Sequence, residues 1–428
     1  MNRSRIRRLT AVAVAMGVLA ACGSPAHPDG RASTSPQSPP TATATISPSP
    51  TSTDGPVADV RKLLGDRAAG LLHGDRDAFL APLDGAARSL RDRQGAFYEH
   101  VHGVPMASWA STLEPGTGQR LPGAGAESWS YSVVTVYALS GLTDEKAVLD
   151  QRVDVAKRPE GWRITDITDQ QTHTEPWDIG TTTSVRAGRI VVLGIGASRQ
   201  DMTTVEHQAA EAVPRVDAVW PGQWEHGAIV VVPADATEAA TLSATDQIEP
   251  LAAVTTGGSG VDAAGHLYQW NRVVINPAAW KRMSDTGRLV VLTHEMTHLA
   301  TGSLGSVPMW VSEGFADYVG WKRSGVGTDT IAEELRADVR KGHVPTDLPD
   351  EADFHSTHVD QAYEEAWLAA RYIAFRYGES ALIRVYRAMA ARSGTSTADQ
   401  DHVLRKVLGV SRSAFVHGWQ GYVKAQLS

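Results

Sequence analysis

Hydrophobic residues recur at helical spacing where the first folded part of the chain begins, in residues 57–84. The positions that share one helical face there are Val60, Leu63, Leu64, Ala68, Leu71 and Leu72. Two strand-like runs follow at 128–142 and 146–169, with alternation at Val133, Thr135 and Tyr137. Helices followed by a long antiparallel hairpin predict an α+β domain over residues 57–175.

A different pattern begins near residue 180. Strand-like runs at 189–196 and 227–235 alternate with helical runs at 201–216 and 236–245. Two more strand-like runs surround "LAAVTT" and "LYQWNRVVINP", and after Pro277 the pattern is almost wholly helical. We therefore expect a second domain over 180–428, built from a small mixed sheet and a helical half, and an α+β class for the whole chain.

Composition and charge exclude one broad class of function. The chain has 428 residues, of which 42% are hydrophobic and 21% charged, as in a globular protein of two or three domains. Its formal net charge is −8. A nucleic-acid-binding protein normally carries a basic surface, so we expect no nucleic-acid partner.

The N-terminus has the features of an export signal. Four arginines, all within residues 3–8, precede an apolar run that ends at Ala21. That run is too short for a membrane-spanning helix, which needs about 20 residues. It is followed by Cys22, the one cysteine of the chain, in "LAAC", which resembles the lipobox of bacterial lipoproteins. The resemblance implies cleavage before Cys22 and acylation of its sulfur; an ordinary secretory signal is the alternative. Loss of residues 1–21 removes four positive charges and no acid, taking the net charge from −8 to −12.

A segment rich in Ser, Thr, Pro and Ala occupies residues 23–56. Such a composition buries too little apolar surface to offset the entropy of ordering, so we expect a disordered tether. In polyproline form it would reach roughly 100 Å, at about 3.1 Å per residue. We expect an anchored protein on the outer face of a bacterial, specifically actinobacterial, cytoplasmic membrane.

The sequence "HEMTH" places two histidines on a predicted helix over 286–301. His294 and His298 are four residues apart, so their Cβ atoms lie about 5–6 Å apart on one helix face and both imidazoles can reach one ion. Glu295 is displaced by about 100° around the helix and can lean over an open coordination position. This arrangement suits a zinc site whose glutamate acts as general base on a bound water.

A second predicted helix, "MWVSEGFADYVGWK", follows after Gly302 and Pro308 and carries Glu313 and Asp317. An HExxH helix, a turn and a helix with ExxxD resemble the gluzincin zinc peptidases. The sequence "PMWVSEGFADY" is similar to the peptidase MA-like branch found in exported bacterial proteins. The resemblance implies zinc held by His294, His298 and Glu313, with Glu295 as base. It also implies that Asp317 accepts a hydrogen bond from a ligand histidine.

The same resemblance implies that a downstream tyrosine or histidine lines the cleft and stabilises the oxyanion. Tyr363, 50 residues beyond Glu313, is our candidate, with Tyr318, His355 and His358 as alternatives. The chain lacks the GxMxN sequence that holds a substrate's free N-terminus in aminopeptidases, which favours an endopeptidase.

Residues 57–175 resemble the cone of nuclear-transport-factor-2-like domains, through the opening "GDRDAFLAPLD" and the last strand "GWRITDI". His100 and His102 share a face of an extended stretch there and could bind a metal, although solvated polar residues are the simpler interpretation. A glycine-containing turn at 194–199 follows a strand but has Arg199 where a dinucleotide fingerprint has its third glycine, which favours a plain turn.

These features together predict a membrane-tethered zinc metallopeptidase that cleaves a peptide or protein substrate. The alternative is a non-enzymatic envelope lipoprotein that binds a ligand or partner and keeps the zinc fold as a scaffold. The sequence does not indicate an oligomeric state.

Overall fold

The computed structural model describes residues 55–123, 127–142, 145–245, 248, 251–392 and 395–428. It is 50% helical and 22% strand, with two small sheets, which confirms the predicted α+β class. Cys22 and all of the predicted tether except its last two residues lie outside the described residues. Within the described part of the chain, no helix is both long enough and apolar enough to cross a membrane.

The first sheet, sheet I, is antiparallel and is preceded by three helices. In chain order the elements are α1 Val57–His73, α2 Arg76–Leu80, α3 Arg88–Val101, β1 Met106–Leu113, β2 Gln119–Arg120, β3 Ser128–Leu139, β4 Ala147–Arg158, β5 Gly161–Asp169 and α4 Pro176–Ile179. The strand order is β1-β3-β4-β5, with β2 paired to β3. The strands β1 and β2 were not predicted from the sequence.

Strand β3 is covered on both faces over much of its length, which is why its sequence does not alternate cleanly. Val133, Val134 and Thr135 are consecutive, and all three are buried. Residues on both faces of a strand can be buried together only when another layer packs on each side of the sheet.

The second sheet, sheet II, mixes parallel and antiparallel pairs, as predicted. Its elements are β6 Thr182–Ala187, β7 Ile190–Ile195, α5 Arg199–Asp217, β8 Ala228–Val232, α6 Ala236–Ser243, β9 Ala253–Val261 and β10 Leu267–Ile275. The strand order is β6-β7-β8-β10-β9. The β7–β8 and β8–β10 pairs are parallel, whereas β6 and β9 run antiparallel to their neighbours. Strand β9 is therefore an edge of sheet II.

The remainder is helical, as the pattern after Pro277 predicts. The helices are α7 Pro277–Trp280, α8 Asp285–Thr301, α9 Met309–Trp321, α10 Thr328–Ile331, α11 Glu333–Arg340, α12 Val359–Tyr377, α13 Glu379–Arg392, α14 Thr397–Leu408 and α15 Arg412–Leu427. Helix α8 packs against α5, α9 and β9, and α9 packs against α12. Helix α8 is therefore at the centre of this half of the protein.

A buried ion pair joins the two sheets. The Arg272 guanidinium on β10 lies 3.0 Å from a carboxylate oxygen of Glu175, and both side chains are almost fully buried. Tyr137 on β3 donates a hydrogen bond to the other oxygen of Glu175 at 2.7 Å. Removing one partner would leave a buried charge uncompensated, so breaking this link between the two sheets would be costly.

Candidate metal centre

Helix α8 holds the two histidines of the HExxH sequence on one buried face. The helix begins where the Ser284 side chain accepts a hydrogen bond from the backbone N–H of Gly287. His294 is fully buried and His298 is 7% exposed. Their ring centroids lie 4.9 Å apart, and their Nε2 atoms are 3.0 Å apart. Both imidazoles therefore present a nitrogen to the same small volume.

Helix α9 brings Glu313 to this volume. One oxygen of the carboxylate, Oε2, lies 3.3 Å from His294 Nε2 and 3.5 Å from His298 Nε2. Among the described residues, His294, His298 and Glu313 form a group whose ligand atoms all lie within 4.8 Å of one another and which could hold a metal ion.

Asp317, one turn further along α9, contacts the far side of the His294 ring. Its Oδ1 lies 2.7 Å from His294 Nδ1. Because a carboxylate only accepts hydrogen bonds, Nδ1 is the donor, and in the neutral ring the lone pair is then on Nε2, facing Glu313. Asp317 thus orients the ring in the tautomer that a metal requires.

The donor set fits a cation. Glu313 Oε2 is buried and makes no hydrogen bond of good geometry within the described residues, although it faces two ring nitrogens. Two imidazole lone pairs and a carboxylate oxygen that converge in a buried volume repel one another unless a proton or a metal lies between them. Two histidines and one glutamate are a ligand set of catalytic zinc.

The electrostatics of the metal-free site agree with this interpretation. Burial alone would lower the pKa of His294, but the carboxylates of Asp317 and Glu313 outweigh it and raise that pKa to about 10. Burial alone would raise the pKa of Glu313, but His298 and His294 outweigh it and lower that pKa to about 2. The pocket therefore stabilises a positive charge at His294, which a proton supplies when no metal is bound.

Glu295 lies beside the histidine pair and is held by the edge strand of sheet II. Thr255 on β9 donates a hydrogen bond to Glu295 Oε2 at 2.7 Å. The other oxygen, Oε1, is buried without a hydrogen-bond partner among the described residues. Burial raises the pKa of Glu295 despite the opposing effects of His294, His298 and Thr255. One oxygen is thus anchored, and the other is free to accept a proton.

The candidates for the oxyanion position lie in different surroundings. Tyr363 is in α12, where it is buried and packs edge-to-face on Phe354, with ring centroids 5.2 Å apart. Tyr318 donates to Glu379 at 2.7 Å, on another side of α9 from Asp317. His355 and His358 are exposed.

Sequence reasoning missed two residues near the centre, Thr255 and Tyr386. Tyr386 on α13 donates to Thr301 at the end of α8 at 2.9 Å. Its pKa is raised by burial and, in part, by the nearby Glu313 carboxylate. Both residues come from elements distant in sequence, and no local motif marks either one.

Two other sequence features lie apart from this centre. His100 Nδ1 lies 2.9 Å from the carbonyl oxygen of Trp177, and His102 is exposed. At the end of β7, Gly196 has a φ of 64° and forms the turn into α5. A Cβ at Gly194 would lie 2.2 Å from the Met202 sulfur, so this glycine serves strand–helix packing.

Among known proteins, only solved structures resemble this chain. No family model and no curated protein matches the chain. Matching solved structures include a mutant of a two-domain M1 zinc metallopeptidase bound to L-arginine, with 14% identity and a TM-score of 0.33, over 75% of this chain and 64% of that one. Another is a Deinococcus radiodurans M1 zinc metallopeptidase mutant bound to the substrate Tyr-Ser-Ala, with 13% identity and a TM-score of 0.34, over 74% of this chain and 63% of that one. The chain thus spans less than two thirds of the length of these two proteins. At these values the likeness says nothing by itself about activity.

Proposed function

We propose that this protein is a zinc-dependent hydrolase of peptide bonds. The observation that carries the proposal is the convergence of His294 Nε2, His298 Nε2 and Glu313 Oε2 in one buried volume, with Glu295 beside it. Such a three-residue site leaves a coordination position open for water or substrate, whereas a structural zinc site is closed by four protein ligands.

Different residues of the chain would have different roles in hydrolysis. His294, His298 and Glu313 would hold zinc, which supplies Lewis acidity and lowers the pKa of a bound water to about 7. Glu295 Oε1 accepts the proton of the attacking water and returns it to the leaving amine. Thr255 keeps the other oxygen of Glu295 in place through the hydrogen bond at 2.7 Å. Tyr363 is our candidate to donate a hydrogen bond to the oxyanion.

The position of β9 favours an extended peptide as substrate. This strand pairs with β10 alone among the described strands, so its other edge has unpaired backbone groups. An extended peptide can add to such an edge through main-chain hydrogen bonds. Thr255 brings that edge next to Glu295, and the alternate positions Gly257 and Ser259 are exposed and small. The backbone of a bound peptide would therefore pass close to the base. Peptide bonds inside a chain fit this arrangement, and we propose endopeptidase activity.

The sequence features at the N-terminus support a location. We propose that Cys22 carries a lipid and that residues 23–56 tether the catalytic part to the outer face of the cytoplasmic membrane. The protein would then act on peptide segments in the cell envelope.

The test is the pair of full-length proteins with and without the Glu295→Gln substitution. Gln keeps the size of the side chain and can still accept from Thr255, but it cannot take a proton. We expect the variant to bind one zinc per chain, measured by metal analysis, and to cleave a peptide library 10²–10⁴-fold more slowly, as removal of a general base does.

Two outcomes would contradict the proposal. Equal cleavage by both proteins would show that Glu295 is not the base. A wild-type protein that binds zinc and cleaves no peptide would favour the alternative, a non-enzymatic envelope lipoprotein that uses the zinc fold as a scaffold.

A further inference from the structure

A cavity of about 260 Å³ lies between the C-terminal half of α9 and helix α12. It is distinct from the metal centre. Asp317 contacts His294 on α8, whereas Gly314, four residues before Tyr318 and on the same helix face, meets the α12 backbone at Ala366. The cavity lies on this α12 side and is lined in part by Val326, Thr328 and Ile331.

The walls of the cavity combine aromatic and aliphatic side chains with polar and charged ones. The half-buried Trp321 on α9 provides an indole surface, Val326 and Ile331 add aliphatic contact, and Trp367 on α12 is only 3% exposed. Ligand pockets typically combine such walls with a small number of polar groups that fix orientation. At about 260 Å³, this cavity is slightly smaller than the pockets of drug-sized ligands, which start at about 300 Å³.

Two cations line the cavity, and only one of them is neutralised. Lys322 forms an ion pair with Glu379, the carboxylate that also accepts from Tyr318. Arg371 instead donates from Nη1 to the hydroxyl of Thr328 at 2.6 Å. Its guanidinium lies 4.7 Å from the centroid of the Trp367 ring. In the described part of the chain, no carboxylate lies within 4.0 Å of the Arg371 guanidinium. The cavity therefore has one uncompensated positive charge.

We infer that this cavity binds a small organic monocarboxylate with a flat, apolar body. An arginine fork matches the geometry of a carboxylate, and among the described residues only Nη1 is engaged by a protein acceptor. A single free charge matches a monoanion, and the Glu379 carboxylate beside Lys322 disfavours a dianion. The half-buried indole ring of Trp321 provides a surface on which a planar body can pack. The site does not depend on the proposed hydrolase activity.

The experiment compares a carboxylate with its neutral analogue on the full-length protein. Phenylacetate and phenylacetamide have the same apolar body and nearly the same shape, so their difference isolates the charge. We expect saturable binding of phenylacetate in isothermal titration calorimetry, about tenfold or more tighter than that of phenylacetamide, because hydrogen bonds to charged groups are the stronger ones. Phenylphosphonate at pH 8, where it is mainly a dianion, should bind more weakly than phenylacetate.

The matched variants are Arg371→Gln and Arg376→Gln. Arg376 lies on the same helix, is exposed and packs over Tyr377, outside the cavity. We expect Arg371→Gln to bind phenylacetate no better than phenylacetamide, and Arg376→Gln to bind both as the wild type does. Retained preference for the acid in Arg371→Gln, or equal or absent binding of acid and amide by the wild type, would overturn the inference. Should Arg371→Gln not fold, the comparison of ligands on the wild type decides alone.

Discussion

Replacing Asp317 with asparagine tests how the metal centre is organised. The substitution keeps an oxygen that can accept from His294 Nδ1, at the position where Oδ1 now lies 2.7 Å away. It removes the negative charge that, together with Glu313, raises the pKa of His294. Groups that orient a metal-bound histidine in this way typically contribute 10- to 100-fold to metal affinity, or about 1.4–2.8 kcal/mol. We expect zinc affinity to fall within that range.

The assay is competition for zinc with a chelator of known affinity, at neutral pH and with the full-length protein. The matched control is Asp285→Asn, which removes an acid from the first turn of the same helix as His294. Asp285 is exposed and lies 3.6 Å from Arg288, so its loss should leave zinc affinity unchanged. An Asp317→Asn protein that folds and binds zinc as tightly as the wild type would refute the role of Asp317 in orienting His294.

Three further predictions concern the oxyanion donor, the proton on His294 and the anchor. Tyr363→Phe should lower the rate of peptide hydrolysis about 100-fold or more without loss of zinc, as removal of an oxyanion donor does, whereas Tyr386→Phe should affect mainly stability; the reverse result would move the role to Tyr386. Because the pKa of His294 is raised to about 10 in the metal-free protein, zinc must displace its proton. Zinc affinity in the same chelator assay should therefore rise about tenfold per pH unit between about pH 6 and 8, and a flat profile would contradict this. Mass spectrometry of the mature N-terminus should show a diacylglyceryl thioether on Cys22, and an unmodified cysteine would exclude the lipid anchor.

The part of the site that depends on local geometry could be predicted from the sequence. The spacing of His294 and His298 places them on one face of any α-helix, and that helix was predicted over 286–301. The structure has the helix at Asp285–Thr301 and brings the two Nε2 atoms to 3.0 Å. Helix α5 and strand β8 were likewise predicted from their hydrophobic patterns, which change from helical to strand-like spacing across the turn between them.

Contacts between distant segments could not be predicted in this way. Thr255 reaches Glu295 across 40 residues, and Tyr386 reaches Thr301 across 85. Each contact depends on how a strand or helix packs against α8. No local sequence pattern at either partner residue indicates that packing. The missed strand β1 has half-buried and exposed residues up to the buried Leu113, without the hydrophobic alternation that marks a strand.

The position of Glu313 depends on both kinds of information. The 14 residues between His298 and Glu313 contain two breaks, a short 3-10 turn at Gly302–Leu304 and Gly305 with a φ of 104°, before Pro308 precedes α9. Glycine and proline mark these breaks in the sequence, and the breaks let the chain reverse direction within a short connection. How closely α9 then approaches its neighbours is a property of the packed structure.

Two glycines of α9, Gly314 and Gly320, allow it to lie close to α12 and α8. A Cβ at Gly320 would lie 3.1 Å from the carbonyl oxygen of Val290 on α8. A Cβ at Gly314 would lie 2.3 Å from the carbonyl oxygen of Ala366 on α12, closer than any side chain tolerates. Helix α9 therefore lies against α8 on one side and α12 on the other with no room for even a methyl group at Gly314. Glu313 is the residue before Gly314. The close packing of α9 that excludes a side chain at Gly314 therefore also holds Glu313, the third ligand, in place.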